Sequence, residues 1–152
     1  METASSCYLC RSSAPLVTGQ REARGGTRPV FYEDEFYQCS NCGEEFYDGN
    51  MADESFRRSA AAIRRADGLL APDEIREIRF LYGLSQAKLE KLIGSGEKTV
   101  VRWERGTIAQ NATADTLLRV LRDHPEVVRK LAKARKIKLA SRKPVKTAQA
   151  AA

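Results

Sequence analysis

The 152-residue chain carries 26 Lys and Arg against 20 Asp and Glu, a formal net charge of +6, and is 42% apolar. That apolar share, with no run near the roughly 20 residues that span a bilayer, excludes an integral helical membrane protein and suits one compact domain or two small ones. The charge is segregated: residues 1–50 are net −4, residues 51–132 net +3 and residues 133–152 net +7. Such asymmetry is what a polyanionic partner of the C-terminal part would select, and equally what a solvated tail displays. The opening METASSCYLC lacks a basic segment followed by an apolar one, so a cytoplasmic protein is expected.

All four cysteines fall in residues 1–50. Gly25-Gly26 separates PLVTGQREA from TRPVFYEDEFYQC, two runs rich in Val, Thr, Phe and Tyr, which predicts a hairpin followed by a second knuckle. Cys7-x2-Cys10 and Cys39-x2-Cys42 can turn four thiolates toward one centre, the closed tetrahedral arrangement of a structural zinc ion. Disulfides need an oxidising compartment that nothing in the chain indicates, and a thioredoxin-like pair needs a βαβ context that is absent. A unit of about 50 residues buries too little apolar surface to fold securely alone, and zinc can supply on the order of 10 kcal/mol. One Zn²⁺ with four sulfur ligands is therefore expected as scaffold. Its filled coordination sphere leaves no position for a reacting water, which argues against an enzyme. His124, the only histidine, reads as a helix-junction residue.

From Asp53 helix formers take over. DESFRRSAAAIRRADG predicts a connector helix capped by Asp53 and ended at Gly68, with Phe56, Ala60 and Ile63 on one face. APDEIREIRFLYG predicts a helix begun at Pro72, carrying Ile75, Ile78 and Leu81, and stopped at Gly83. Ser85 should cap SQAKLEKLIG, with Leu89, Leu92 and Ile93 as its stripe. Asn111 should cap NATADTLLRVL, and Pro125 should open PEVVRKLAKARK. After Leu139, SRKPVKTAQAAA has no periodic apolar face and is expected to be disordered. The resulting organisation is two small domains. Residues 1–68 form a zinc-bound α+β unit of short antiparallel strands, two knuckles and the connector. Residues 69–139 form an all-α five-helix domain, and residues 140–152 a basic tail.

Between Ser85 and Asn111 lies GSGEKTVVRWERG, Gly94 to Gly106. Two short helices joined by a glycine turn make a helix-turn-helix, and Glu97 to Arg105 is the expected recognition helix. Val100 and Trp103 are placed to bury, and Lys98 and Arg102 share another face. A Lys/Arg pair at that spacing on an arbitrary helix is a solvated face; on the second helix after such a turn it meets base edges, where Arg suits bidentate contact with guanine. Thr99 flanks that face. Ser85 and Gln86, opening the preceding helix, suit a backbone phosphate. The expected DNA-binding set is thus Ser85, Gln86, Lys98, Thr99 and Arg102, with Glu104 assigned to an intraprotein ion pair.

LSQAKLEKLIGSGEKTVVRWERG resembles the helix-turn-helix of the Xre/Cro family. Joined to CYLC…CSNCGEE and GLLAPDEIREIR, it makes residues 5–132 similar to the MqsA-type antitoxins, whose zinc finger is of the YgiT type. The first knuckle departs from that pattern in lacking the common proline after its first cysteine. The resemblance implies a bacterial antitoxin of a type II toxin-antitoxin system. It also implies that Cys7, Cys10, Cys39 and Cys42 hold zinc, and that the N-terminal domain neutralises a cognate toxin ribonuclease. The C-terminal domain would form a homodimer, bind operator DNA through Lys98 and Arg102 and repress its own operon. A stand-alone zinc-containing transcriptional regulator without a toxin is the alternative.

Overall fold

A computed structural model describes residues 4–140. The N-terminal part is an antiparallel meander of four strands in sequence order: β1 (Ala4–Ser6), β2 (Ser13–Ala23), β3 (Val30–Gln38) and β4 (Glu45–Phe46). β2 and β3 pair from Leu16 opposite Tyr37 to Ala23 opposite Val30, closed by the Gly25-Gly26 loop. At the middle of the hairpin Gly19 leaves room for the Phe36 ring, which a Cβ there would approach to 3.0 Å and oblige to shift. That ring is also covered from one side by the Arg21 guanidinium at 4.0 Å.

The connector helix α1 (Met51–Asp67) lies against β3. It begins two residues before the expected cap: Asn50 holds the cap position, and Asp53 is inside the first turn, where its charge favours the helix N-terminus. Gly68 ends it in the left-handed conformation, as its position predicts. Phe56 does not join Ala60 and Ile63 inside; it is 59% exposed, whereas those two are buried. The face toward the sheet is instead organised around a buried carboxylate. Asp34 of β3 accepts hydrogen bonds from Ser55 Oγ (2.7 Å), Tyr47 Oη (2.5 Å) and Arg58 Nη1 (3.2 Å). The hairpin loop grips the other end of α1, where Thr27 Oγ1 donates to Asp67 (2.8 Å) and Arg28 Nη2 to the Ala66 carbonyl (2.7 Å).

Five helices follow: α2 (Pro72–Leu81), α3 (Gln86–Ile93), α4 (Thr99–Arg105), α5 (Ala112–Asp123) and α6 (Pro125–Ala134). Their caps follow the sequence closely. Ser85 Oγ accepts from the Lys88 amide, Asn111 Oδ1 from the Ala114 amide, and Pro125 opens α6 directly after the exposed His124. One core unites them, formed among others by Leu70, Ile75, Ile78, Leu89, Leu92, Val100, Trp103, Leu118, Leu121 and Val128. Each fully buried Leu or Ile contributes about 1.5–3 kcal/mol, so this part has a core adequate to its size. The sheet does not. Its own buried cluster is Cys7, Ala14 and Cys39, flanked by Cys10, Tyr37 and Phe46.

The junction between α1 and α2 is fastened to α5 by specific polar contacts. Asp115 of α5 accepts from the Leu70 amide (2.7 Å), Gln110 Nε2 (3.0 Å) and Arg119 Nε (2.7 Å), and Gln110 also donates to the Leu70 carbonyl (2.8 Å). Arg119 Nη2 reaches the Gly68 carbonyl (2.9 Å). No described helix is long and apolar enough to cross a membrane. The tail expected over 140–152 lies, past Ala140, outside the described residues.

Candidate metal centre and nucleic-acid interface

Each cysteine pair is presented by the same backbone device. In the first knuckle the Cys7 amide donates to the Ser12 carbonyl and the Arg11 amide to the Cys7 carbonyl; in the second, Cys39 and Gly43 repeat both bonds with Glu44 and Cys39. The fourth residue after each leading cysteine is left-handed, Arg11 at φ 61° and Gly43 at φ 74°. Glycine takes that conformation freely; arginine holds it at a cost of order 1–2 kcal/mol. The first knuckle is therefore shaped by something stronger than local preference.

The two loops meet so that the sulfurs of Cys7, Cys10, Cys39 and Cys42 all lie within 4.8 Å of one another. Cys7 Sγ is 3.7 Å from Cys42 Sγ, and Cys10 Sγ is 3.4 Å from Cys39 and 3.6 Å from Cys42. A tetrahedron of sulfurs bonded to zinc at about 2.3 Å has edges of about 3.8 Å, and these separations fit it. The electrostatics agree. Hydrogen bonds from Ser12 above all hold the Cys10 thiol down to about 5. At Cys42 the Glu44 amide favours the thiolate, but the three neighbouring sulfurs and burial outweigh it and push the thiol up to about 12. Four thiolates cannot share this space without a cation, and a divalent ion is the group the set accepts. The cluster can hold one metal ion, and zinc suits its sulfur-only ligands.

In the helical unit α4 presents Val100 and Trp103 to the core and leaves Arg102 exposed. The helix is shorter than expected, starting at Thr99 and not Glu97. Lys98 is not within it: it occupies the cap position in the left-handed conformation, φ 59°. It is exposed, with no side-chain cap from itself. The missing cap comes from α3, where the buried Glu90 carboxylate accepts the Val100 amide at 3.0 Å. The Glu90 carbonyl also closes the turn by accepting from Gly94 (2.9 Å) and Ser95 (3.0 Å).

Glu104 makes the ion pair its position suggests. Arg79 Nε and Nη2 grip its two oxygens at 2.6 and 3.0 Å, and Gln86 Nε2 donates to it at 2.7 Å. Burial works against the charged form, but the bonds from Arg79 and Gln86 prevail and hold this carboxyl below its usual range. Thus Gln86 faces inward onto α4 and Ser85 caps α3, so the two residues expected at a phosphate are also structural. Thr99 is half-buried at the first turn. Arg57 of α1 and Arg105 of α4 line one open cleft together with Arg76 and Arg102. Among the described residues Arg57, Arg102 and Arg105 make no ion pair. Residues reached by tertiary contact alone, Glu90, Asp115, Gln110 and Arg64, left no signal in the sequence.

A four-cysteine sheet able to hold one metal ion, joined to a helical unit in which two short helices meet at a glycine turn, defines the class of this chain. The family described as the antitoxin component of bacterial toxin-antitoxin systems, MqsA, matches residues 7–132, both units and the joint between them, and the chain belongs to it. It is 33% identical over 63 residues to the antitoxin HigA-2 of Vibrio cholerae, covering 41% of this chain and 61% of that protein. With the antitoxin MqsA of Escherichia coli it shares 27% identity over 95 residues, covering 61% of this chain and 72% of the relative. The matched stretch is thus under two thirds of the first relative's length and over two thirds of the second's.

Proposed function

We propose that this antitoxin-family protein binds and neutralises a cognate toxin, of ribonuclease type, through its metal-knuckle unit and represses its own operon as a dimer. The observation that carries the DNA-binding half is the exposure of Arg102 on α4, and of Lys98 at its cap position, while the opposite face of the helix, Val100 and Trp103, is locked in the core. In a dimer two such helices enter successive major grooves about one helical turn apart, and Arg102 and Lys98 contact bases. Thr99 and the cap at Ser85-Gln86 lie alongside and meet the backbone, Gln86 while holding Glu104. Arg57 and Arg105, unpaired among the described residues, add positive potential beside them.

The toxin-binding half is supported by family membership and by the surface of the N-terminal unit. Tyr8 and Leu9, at the tip of the first knuckle, are both more than 60% exposed, on a segment whose net charge of −4 complements a basic ribonuclease. We divide the chain into residues 1–68 and 69–139, a reading that the two separate buried clusters support.

Co-expression with the product of the adjacent open reading frame, followed by co-purification and gel shift on the DNA upstream of the operon, tests both halves. The expected result is a stable complex lost in a Tyr8→Asp, Leu9→Asp variant, with DNA binding retained by that variant. Specific DNA binding with no partner from the neighbouring gene would leave a stand-alone regulator.

A further inference from the structure

The recognition helix is only seven residues long, Thr99–Arg105, about two turns. A helix that short has little rigidity of its own, and its pose is set by what holds its ends. Glu90 holds the first end from within the helix-turn-helix. The second end is held from outside it. Arg64, in the last turn of α1, donates through Nη2 to the Ile108 carbonyl at 2.6 Å and through Nη1 to the Gly106 carbonyl at 3.4 Å. Gly106 is the left-handed cap of α4, and its amide bonds back to the Arg102 and Trp103 carbonyls. The Thr107 amide returns to the Arg102 carbonyl at 3.2 Å. The turn that Arg64 grips is therefore the turn that contains Arg102.

Three features set Arg64 apart from an ordinary packing arginine. It is 7% exposed, deep for a side chain of this type. No carboxylate pairs with it among the described residues, and its Nε is buried without a partner. Its positive charge instead faces carbonyls at a helix C-terminus, where the helix dipole is negative and a cation is favoured. Burial also pushes the guanidinium below the usual arginine range. A buried, incompletely bonded cation costs stability, and a side chain of plainer chemistry could fill the space.

We propose that Arg64 is a positioning residue for base reading: from the connector helix it fixes the end of α4 that carries Arg102, so operator preference depends on a residue outside the helix-turn-helix. The inference rests on the DNA-reading role proposed for α4. The chain of contact is continuous. β3 holds α1 through the Asp34 cluster, α1 carries Arg64, and Arg64 holds the α4–α5 loop. A base-contacting arginine tolerates little displacement, because its two bonds to guanine are both short and directional.

The test uses the full-length, metal-loaded chain and its Arg64→Met and Arg64→Lys variants. Each is titrated by gel shift on a duplex from immediately upstream of the coding sequence and on a random duplex of equal length, with thermal melting and amide hydrogen exchange alongside. Arg64→Met is expected to lose about tenfold of the preference for upstream over random DNA while keeping its affinity for random DNA, since phosphate contacts are untouched. Arg64→Lys should recover part of that preference, its ammonium reaching one carbonyl. Exchange should quicken at residues 107–109 and stay unchanged at Leu89 and Leu118.

Arg64→Met with undiminished preference would overturn the proposal. So would equal loss on both duplexes with a collapsed melting temperature, if Arg64→Lys remains folded and reads DNA as the parent does while its loop exchanges freely. A parent protein with no preference for the upstream duplex would instead overturn the reading of α4 itself.

Discussion

In the function proposed here Arg102 is the residue on which sequence-specific reading would turn, being exposed, unpaired among the described residues and mounted on a helix buried along its other side. Arg102→Ala is expected to lose about 1–3 kcal/mol of discrimination between operator and random DNA, measured by competitive gel shift. Equal loss on both duplexes would reassign it to phosphate. Glu90 acts differently, by capping the helix that carries Arg102. Glu90→Leu leaves the buried Val100 amide without an acceptor and should lower stability by about 1–3 kcal/mol in chemical denaturation. Glu90→Gln, which keeps an acceptor in place, should lose clearly less. Lys98 was readable as an exposed cation but not as a left-handed one. That conformation is ordinarily signalled by glycine or asparagine, and neither stands there.

At the scale of elements, α4 is tied to α2 and α3 by the Glu104 carboxylate more than by length or propensity. The Arg79 fork and Gln86 depress the folded-state pKa of Glu104 despite its burial. A carboxyl depressed on folding contributes stability above its unfolded pKa, and that contribution is lost as pH falls through the ordinary carboxylate range toward the lower folded value. Asp115, where burial is likewise outweighed by Arg119, the Leu70 amide and Gln110, titrates in the same sense. The melting temperature should therefore fall on acidification from neutral pH. Glu104→Gln should be less stable at neutral pH and show a shallower acid dependence, and an unchanged slope in that variant would place the pH sensitivity elsewhere. The helix boundaries were largely legible, because Ser85, Asn111, Pro72, Pro125, Gly68 and Gly94 each act within a few residues of chain. The two that differed, at Met51 and Thr99, are where a tertiary contact or a neighbouring turn supplied what the local residues did not.

Across the whole molecule, two cores of unequal size imply two stabilities. The helices bury a full apolar core, whereas the sheet's buried cluster includes two of the four cysteines that can hold the metal, Cys7 and Cys39. Removing the metal with a chelator is expected to abolish protection of β2 and β3 amides in hydrogen exchange while α2–α6 keep theirs. Simultaneous loss of both would mean that the Asp115 joint and Arg64 make one cooperative unit of the chain. If Arg64 positions α4, chelation should also reduce operator preference without abolishing binding to random DNA.

The chain by itself determined the two units, the four-cysteine set, the helix order and the location of the α3–turn–α4 segment. Each of these rests on spacing, caps or periodicity, which are local and therefore written in consecutive residues. Tertiary structure alone decided which charges serve the interior. Asp34, Arg64, Glu90 and Asp115 look in sequence like the solvated charges beside them, and each has a partner 10 to 45 residues away. Their roles arise because burial removes water as a competing partner, and which charges become buried is settled only when distant segments pack together.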